Sequence, residues 1–283
     1  MAEVISASIS GTTLTISFDE PMTKSTNDWT HFFDSSGTPI TPNSFTGDGG
    51  ATWTITFPSS VAANDYIIVE AWGGAAYGTS SYNQLSQGTM FVGGNGTTNI
   101  DVSNGGLPYA GPYAFFGNEG ADTIHTPEWQ SNYIDLTEVT KVTDIVSYSN
   151  FYGDHVDPFD IDVIKGFDVT GTSSNDQLSL NSRVIAANVT DANGIDVGSI
   201  ASHSISSGIV TFKDTSGNNI VFTDDGSPYA DTLLTQAYNY LNTNITLSGA
   251  TVGLQTNHGL VVFQKGTPGN DSLVTVLDDI SNV

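Results

Sequence analysis

The side chains of this chain best suited to chemistry are its carboxylates. The first group that stands out is Gly117-Asn118-Glu119-Gly120-Ala121-Asp122-Thr123-Ile124. Glycines let the backbone turn so that carbonyls face inward, Asp122 and Glu119 add hard anionic oxygens, and Ile124 starts a short strand that buries the turn. Oxygen donors of this kind hold calcium. Two partial copies follow. Gly266-Thr267-Pro268-Gly269-Asn270-Asp271-Ser272-Leu273 keeps both glycines, the acid and the aliphatic residue. Gly171-Thr172-Ser173-Ser174-Asn175-Asp176-Gln177-Leu178 keeps one glycine, the acid and the aliphatic residue. A different grouping, Asp154-His155-Val156-Asp157-Pro158-Phe159-Asp160-Ile161-Asp162, puts four of its carboxylates at Asp154, Asp157, Asp160 and Asp162. They repel unless a cation sits among them, although a solvated acidic loop has the same composition. The metal-ligand candidates are therefore Glu119, Asp122, Asp154, Asp157, Asp160, Asp162, Asp176 and Asp271, with Ca2+ as the implied cofactor. Asp224-Asp225-Gly226 reads as a turn, with calcium as the lesser alternative.

Other chemistry finds no such pattern. The histidines at 31, 125, 155, 203 and 258 are scattered without a metal-binding or triad spacing, and they read as structural or solvent-facing. No nucleophile elbow, phosphate loop or dinucleotide fingerprint is present. Cysteine is absent, which removes thiolate nucleophiles, disulfides and thiolate-bound metals. Thirty acids produce accidental carboxylate pairs, and nothing singles one out as a glycosidase pair. The expectation is a protein without enzymatic activity. Trp53 and Trp72 fall in strand patterns and read as core. Trp129, in His125-Thr126-Pro127-Glu128-Trp129-Gln130, is the better candidate for a surface that stacks on sugar.

Composition sharpens the choice of partner. The 283 residues carry 6 Lys+Arg against 30 Asp+Glu, a formal net charge of −24. Only 13% of residues are charged, against a usual ~25%. Nucleic acid and anionic membranes need clustered cations and are disfavoured, whereas divalent cations are favoured. Hydrophobic residues at 38% and aromatics at 10% argue for a folded chain. Met1 to Thr15 has neither the basic nor the apolar region of a signal peptide, and no apolar run reaches the ~18 residues of a membrane span.

These acids must be positioned by strands, because helical periodicity is scarce and short alternating runs bounded by Gly, Asn, Asp and Pro recur throughout. Val4–Ile9, Leu14–Phe18, Trp53–Phe57 and Tyr66–Trp72 predict a small antiparallel sandwich over 1–73. Residues 74–110, rich in Gly, Ser, Asn and Tyr, predict a linker or long loop, with Tyr77, Tyr82, Tyr109 and Tyr113 packing it down or, as the lesser reading, forming a contact surface. Short strands resume over 111–283. One helix is expected over Ser227–Asn242, where Tyr229, Leu233, Leu234, Ala237, Tyr238 and Leu241 fall at helical spacing. Strands over Thr251–Leu254, Leu260–Gln264 and Leu273–Leu277 follow it.

Two family resemblances sit on these residues. Ile9-Ser10-Gly11-Thr12-Thr13-Leu14-Thr15-Ile16-Ser17-Phe18-Asp19-Glu20-Pro21-Met22, with Val61–Val69 as closing strand, resembles the Ig-like repeats of bacterial surface proteins and adhesins. The glycine-rich turn matches the calcium nonapeptide G-G-x-G-x-D-x-U, with Asn118 in place of the second glycine. With Tyr133–Leu136, Thr143–Val146 and Asp162–Asp168 running into Asn175–Leu180, residues 111–283 resemble RTX-type, type I-secreted surface proteins, S-layer proteins among them. Gly259–Gln264 and Asp271–Val274 match the terminal strands that precede an uncleaved C-terminal export signal. The copies here are isolated rather than tandem, so any calcium site must recruit side chains from elsewhere. The resemblances imply an all-β chain: an Ig-like sandwich, then an RTX-like calcium-binding β domain with one short helix. They further imply a secreted, calcium-dependent structural protein of the cell surface that assembles with copies of itself into a layer, filament or biofilm matrix. A monomeric adhesin or carbohydrate-binding module, with cell-surface polysaccharide as partner, is the alternative.

Overall fold

The structure is a computed structural model. It describes residues 4–22, 29–72, 88–102, 113–126, 132–148, 161–168, 175–179, 184–185, 188–206, 209–220, 232–245, 259–265 and 273–278. The chain is all-β with one short helix. The N-terminal strands are β1 (Val4–Ser10), β2 (Thr13–Met22), β3 (Trp29–Asp34), β4 (Pro39–Ile40), β5 (Ser44–Thr46), β6 (Gly50–Thr56) and β7 (Tyr66–Trp72). Then come β8 (Gly88–Gly93), β9 (Asn99–Asp101), β10 (Tyr113–Phe116), β11 (Thr123–Thr126), β12 (Asn132–Asp135), β13 (Ile145–Tyr148), β14 (Ile161–Lys165) and β15 (Gln177–Ser179). The C-terminal elements are β16 (Val184–Ile185), β17 (Val189–Val197), β18 (Ile200–Ser206), β19 (Ile209–Lys213), α1 (Thr232–Asn244), β20 (Gly259–Lys265) and β21 (Leu273–Asp278).

From β8 to β15 the chain alternates between two parallel sheets. β8, β10, β12 and β14 pair side by side in one sheet, and β9, β11, β13 and β15 in the other. Each pair of consecutive strands is one coil of a solenoid: β8–β9, β10–β11, β12–β13 and β14–β15. The first coil lies inside the segment that composition marks as a linker. Its described part, 88–102, holds the two strands β8 and β9 and the turn between them, with Met90-Phe91-Val92 and Ile100 buried although the surrounding sequence is poor in aliphatic residues.

The larger sheet runs well past the solenoid. Its order is β17-β18-β19-β20-β21-β14-β12-β10-β8-β7-β3-β4. β7 joins antiparallel to β8 from Tyr66↔Gly93 to Ala71↔Gly88, so the N-terminal strands and the first coil share one sheet. The smaller N-terminal sheet, β1-β2-β6-β5, covers one face of it. Alternate residues face the two layers. Ile67, Val69, Met90, Val92, Ala114 and Phe116 pack with Leu14, Ile16, Trp53 and Ile55. Ile68, Phe91 and Phe115 pack with Ile100, Ile124 and Val146 of the other solenoid sheet. Strands buried on both faces read as continuous apolar runs rather than alternating ones, as Tyr66–Val69 and Met90–Val92 do.

Trp53 is core as expected, 2% exposed, with its indole N–H on Met22 O at 3.3 Å. Tyr113 packs on Phe91 and Phe115, in keeping with a packing role. The helix begins at Thr232, and the expected residues 227–231 lie outside the described set. Ala237, Tyr240 and Leu241 bury one side of it against Ile200, Ile205, Val210 and Phe212. The strands expected at Leu260–Gln264 and Leu273–Leu277 are β20 and β21, and Thr251–Leu254 lies outside the described residues. β21 pairs antiparallel with both β20 and β14, which joins the last coil to the C-terminal strands.

Phe91 stacks on Phe115 with ring centroids 5.1 Å apart inside the solenoid, and both rings are fully buried. Replacing Phe91 by alanine is expected to cost about 3–5 kcal/mol. Equilibrium urea unfolding measures it, and a loss below about 1 kcal/mol would show that the two sheets close over the space.

Candidate functional site

Three of the residues that sequence marks for chemistry, Glu119, Asp122 and Asp176, meet at one corner of the solenoid, where the chain turns from the larger sheet to the smaller one. Four residues occupy the same place in successive coils, each just before its strand: Thr98 before β9, Asp122 before β11, Asp144 before β13 and Asp176 before β15. They form a column. Thr98 N–H donates to Asp122 Oδ1 at 2.7 Å, Asp122 N–H to Asp144 Oδ1 at 2.8 Å, and Asp144 N–H to Asp176 Oδ1 at 2.9 Å. Main-chain bonds run alongside, from Thr123 N to Thr98 O, Ile145 N to Asp122 O and Gln177 N to Asp144 O, each 2.8 Å. The column ends by closing on itself, with Asp168 N–H on Asp176 Oδ2 at 2.6 Å and Asp176 N–H on Asp168 O at 2.9 Å.

The glycine-rich turn holds Asp122 in place. Gly120 has φ +109°, and a Cβ there would lie 2.5 Å from Gly96 C of the preceding coil, so only glycine lets the coils approach. Asn118 stands where the motif has glycine and adopts the same left-handed conformation, φ 67°. Its amide donates to Gly93 O at 2.8 Å, which adds an inter-coil bond that glycine lacks.

Acids from the turns crowd this corner. Glu119 accepts Val139 N–H at 2.7 Å and Thr140 N–H at 3.3 Å, and so fastens the Leu136–Asp144 turn to the coil before it. Glu138 accepts Val142 N–H through Oε1. Lys141 Nζ sits 3.5 Å from Asp168 Oδ2. A small cavity is lined by Leu136, Thr137, Glu138, Lys141, Gly166 and Asp168. Asp122 and Asp144 are each 1% exposed, and Asp122 Oδ2 and Glu138 Oε2 are buried without a hydrogen-bond partner.

Burial dominates the electrostatics. It pushes Asp122 up to about 7, against the lowering effect of the Thr98 hydrogen bonds and with the help of nearby Glu138. Asp144 is pushed to about 8, with Asp176, Asp122 and Glu138 adding repulsion. Asp176 rises to about 6, moderated by its two backbone donors and by Lys141. Glu138 is raised by burial and by Asp176 and Glu119, and lowered by its Val142 bond and, least, by the Gly120 main chain.

Of the residues marked in sequence, the structure brings Glu119, Asp122 and Asp176 to this corner. Asp154, Asp157, Asp160 and Asp271 lie outside the described residues. Asp162 is in β14, opposite Val276 of β21. Asp144, Glu138 and Asp168 belong to the corner and carry no glycine motif. A signal for the column does exist in the sequence. Each acid stands two residues before a buried or half-buried aliphatic residue (Ile124, Val146, Leu178), and the column positions are 24, 22 and 32 residues apart, with Ile100 after Thr98. Among the described residues, no three His, Cys, Asp or Glu side chains are grouped so as to hold a metal ion. His203 is buried beside Tyr240, its Nδ1 3.1 Å from the phenol oxygen, and His31 stands 3.6 Å from Glu70, so both serve packing or a surface pair.

This corner and its coils define a parallel β-solenoid whose successive turns are fastened through carboxylates. No family model matches the chain, and no curated protein sequence matches it. Among solved structures, the crystal structure of the S-layer protein rSbsC(31-844) aligns with 100% of this chain and 24% of its own length, at 12% identity and a TM-score of 0.25. The crystal structure of the N-terminal part of the bacterial S-layer protein SbsC aligns with 100% of this chain and 42% of its own, at 12% identity and a TM-score of 0.21. The chain thus spans less than half the length of either.

The column sets a pH dependence. In the folded chain Asp122, Asp144 and Asp176 keep their protons to about 7, 8 and 6, whereas an unfolded aspartate loses its proton near ~3.9. The native state therefore binds more protons than the unfolded chain between these values, and stability falls as pH rises. In chelator, the melting temperature is expected to be highest near about pH 4 and to decline through about pH 6–8. Asp144→Asn keeps the Oδ1 acceptor and removes the charge. It is expected to melt higher than wild type near about pH 9 and within error of it near about pH 4; equal melting at both ends would mean Asp144 titrates as an exposed acid.

Proposed function

We propose that this chain is a secreted structural protein of the cell surface that assembles with copies of itself in a calcium-dependent way. The single observation that carries the reading is the carboxylate column. Its acids are spent on fastening coil to coil and are buried, where a catalytic or sugar-binding acid would stand open to a substrate. The same corner gathers Glu119, Asp122, Glu138, Asp144, Asp168 and Asp176 with Lys141 as the neighbouring cation, a concentration of carboxyl groups whose ionisation a divalent cation would favour by displacing their protons. A net charge of −24 holds copies of the folded chain apart until a divalent cation neutralises part of it, which fits assembly in calcium-rich surroundings. Type I secretion remains part of this proposal through the sequence resemblance alone.

Negative-stain electron microscopy with light scattering, before and after adding millimolar calcium to chelator-stripped protein, tests the proposal. Ordered sheets or filaments are expected with calcium and not without it. Equal assembly in chelator would sink the calcium dependence. A monomer under both conditions that binds a glycan saturably would replace the reading with the adhesin alternative.

A further inference from the structure

We propose that one hard divalent cation of the calcium class binds between the second and third coils, held by Asp122 Oδ2 and Glu138 Oε2. This rests on the calcium dependence proposed above and gives it a site.

Both oxygens are buried without a well-formed hydrogen bond, the Gly120 main chain being, after Val142, the nearest donor to Glu138. A buried carboxylate oxygen without a donor is costly, and Asp122 is only 1% exposed. The second oxygen of each group is already committed, Asp122 Oδ1 to Thr98 N–H and Glu138 Oε1 to Val142 N–H. Each carboxylate is thereby held in orientation with one oxygen left over. The two come from adjacent coils, and Glu119 clamps those coils together through Val139 N–H and Thr140 N–H. Gly117 keeps the space beside Asp122 open, since a Cβ there would lie 2.7 Å from Asp122 Oδ2. The charged groups nearby are Glu119, Asp144, Asp176 and Lys141, and the lysine is paired with Asp168.

The donors select the ion. Two carboxylates without sulfur or imidazole suit calcium rather than zinc, and calcium accepts an irregular shell of about 6–8 oxygens completed by water and main-chain carbonyls. The consequence distinguishes this site from a metal that builds the turn. Because the ion uses the oxygen that the column does not, the inter-coil hydrogen bonds persist without it. The ion stiffens a solenoid that is already formed. Glu138 lies in Leu136–Asp144, outside any glycine-rich motif, and so was not marked by sequence.

Calorimetric titration of the full, chelator-stripped chain with calcium chloride tests this, using Asp122→Asn, Glu138→Gln and, as a control with the same charge change, Asp214→Asn in an exposed turn. Wild type and Asp214→Asn are expected to bind at a saturable site, and each of the other two to bind at least about tenfold more weakly. Calcium is expected to raise the melting temperature of wild type and not of Glu138→Gln, while the two melt alike or Glu138→Gln higher in chelator, which separates loss of the ligand from loss of the fold. Wild-type affinity in both Asp122→Asn and Glu138→Gln overturns the site, as does an equal weakening in Asp214→Asn. Glu138→Gln that keeps wild-type affinity and still assembles only with calcium overturns this site and leaves the calcium-dependent function standing. Wild type that binds here but assembles equally in chelator supports the site and overturns the function. No saturable binding overturns both.

Discussion

A backbone N–H at the corner of each of the first three coils is satisfied by a carboxylate oxygen of the next coil, and the rest of the solenoid depends on that exchange. Where the chain turns from one parallel sheet into the other, the residues before β9, β11 and β13 point their N–H groups along the stack toward the next coil. Left unpaired in a buried corner, each would cost about as much as a lost hydrogen bond. Asp122, Asp144 and Asp176 supply the acceptor in turn. An aspartate suits the place because its short side chain reaches one coil back while its own N–H points one coil forward. The arrangement also buries like charges in a row, and their raised affinities for protons follow from that burial more than from their mutual repulsion.

The column also has defined ends. Thr98 begins it with a hydroxyl turned to Gly96 O, and Asp176 ends it by bonding Asp168 through both its main-chain N–H and its second oxygen. At the flanks of the larger sheet, antiparallel β7 and β21 close the parallel stack at β8 and β14. Solenoids need such caps, because a bare terminal strand offers its hydrogen-bonding edge to any other chain. Self-association of the kind proposed is therefore not expected to prolong the coils through this corner. The larger sheet meanwhile does two jobs, facing the small N-terminal sheet with Ile67, Met90 and Phe116 and the solenoid interior with Ile68, Phe91 and Phe115. Through this shared layer β7 pairs directly with β8, the first strand of the first coil.

Much of this was legible in the residues themselves, and some was not, for physical reasons. Alternation in Val4–Ile9 and Leu14–Phe18, the helical spacing of Ala237 and Leu241, and the scarcity of any other helical period determined an all-β chain with one helix. Local geometry is written in local sequence, so Gly120 and Asp122 were readable as a turn that aims oxygen inward. Glu119 and Asp176 were readable as its companions. What only the tertiary structure decided was which acids meet. Asp144 and Glu138 sit in a turn without glycines, and they join the corner because coils stack at separations of 22 to 32 residues, a non-local register that no short window encodes. The same holds for Met90-Phe91-Val92, whose burial on two faces removes the alternation by which a strand is recognised. The sequence alone determined the types of oxygen available and the turns able to present them. Stacking decided their neighbours, because proximity between coils is created only when the parallel ladders form.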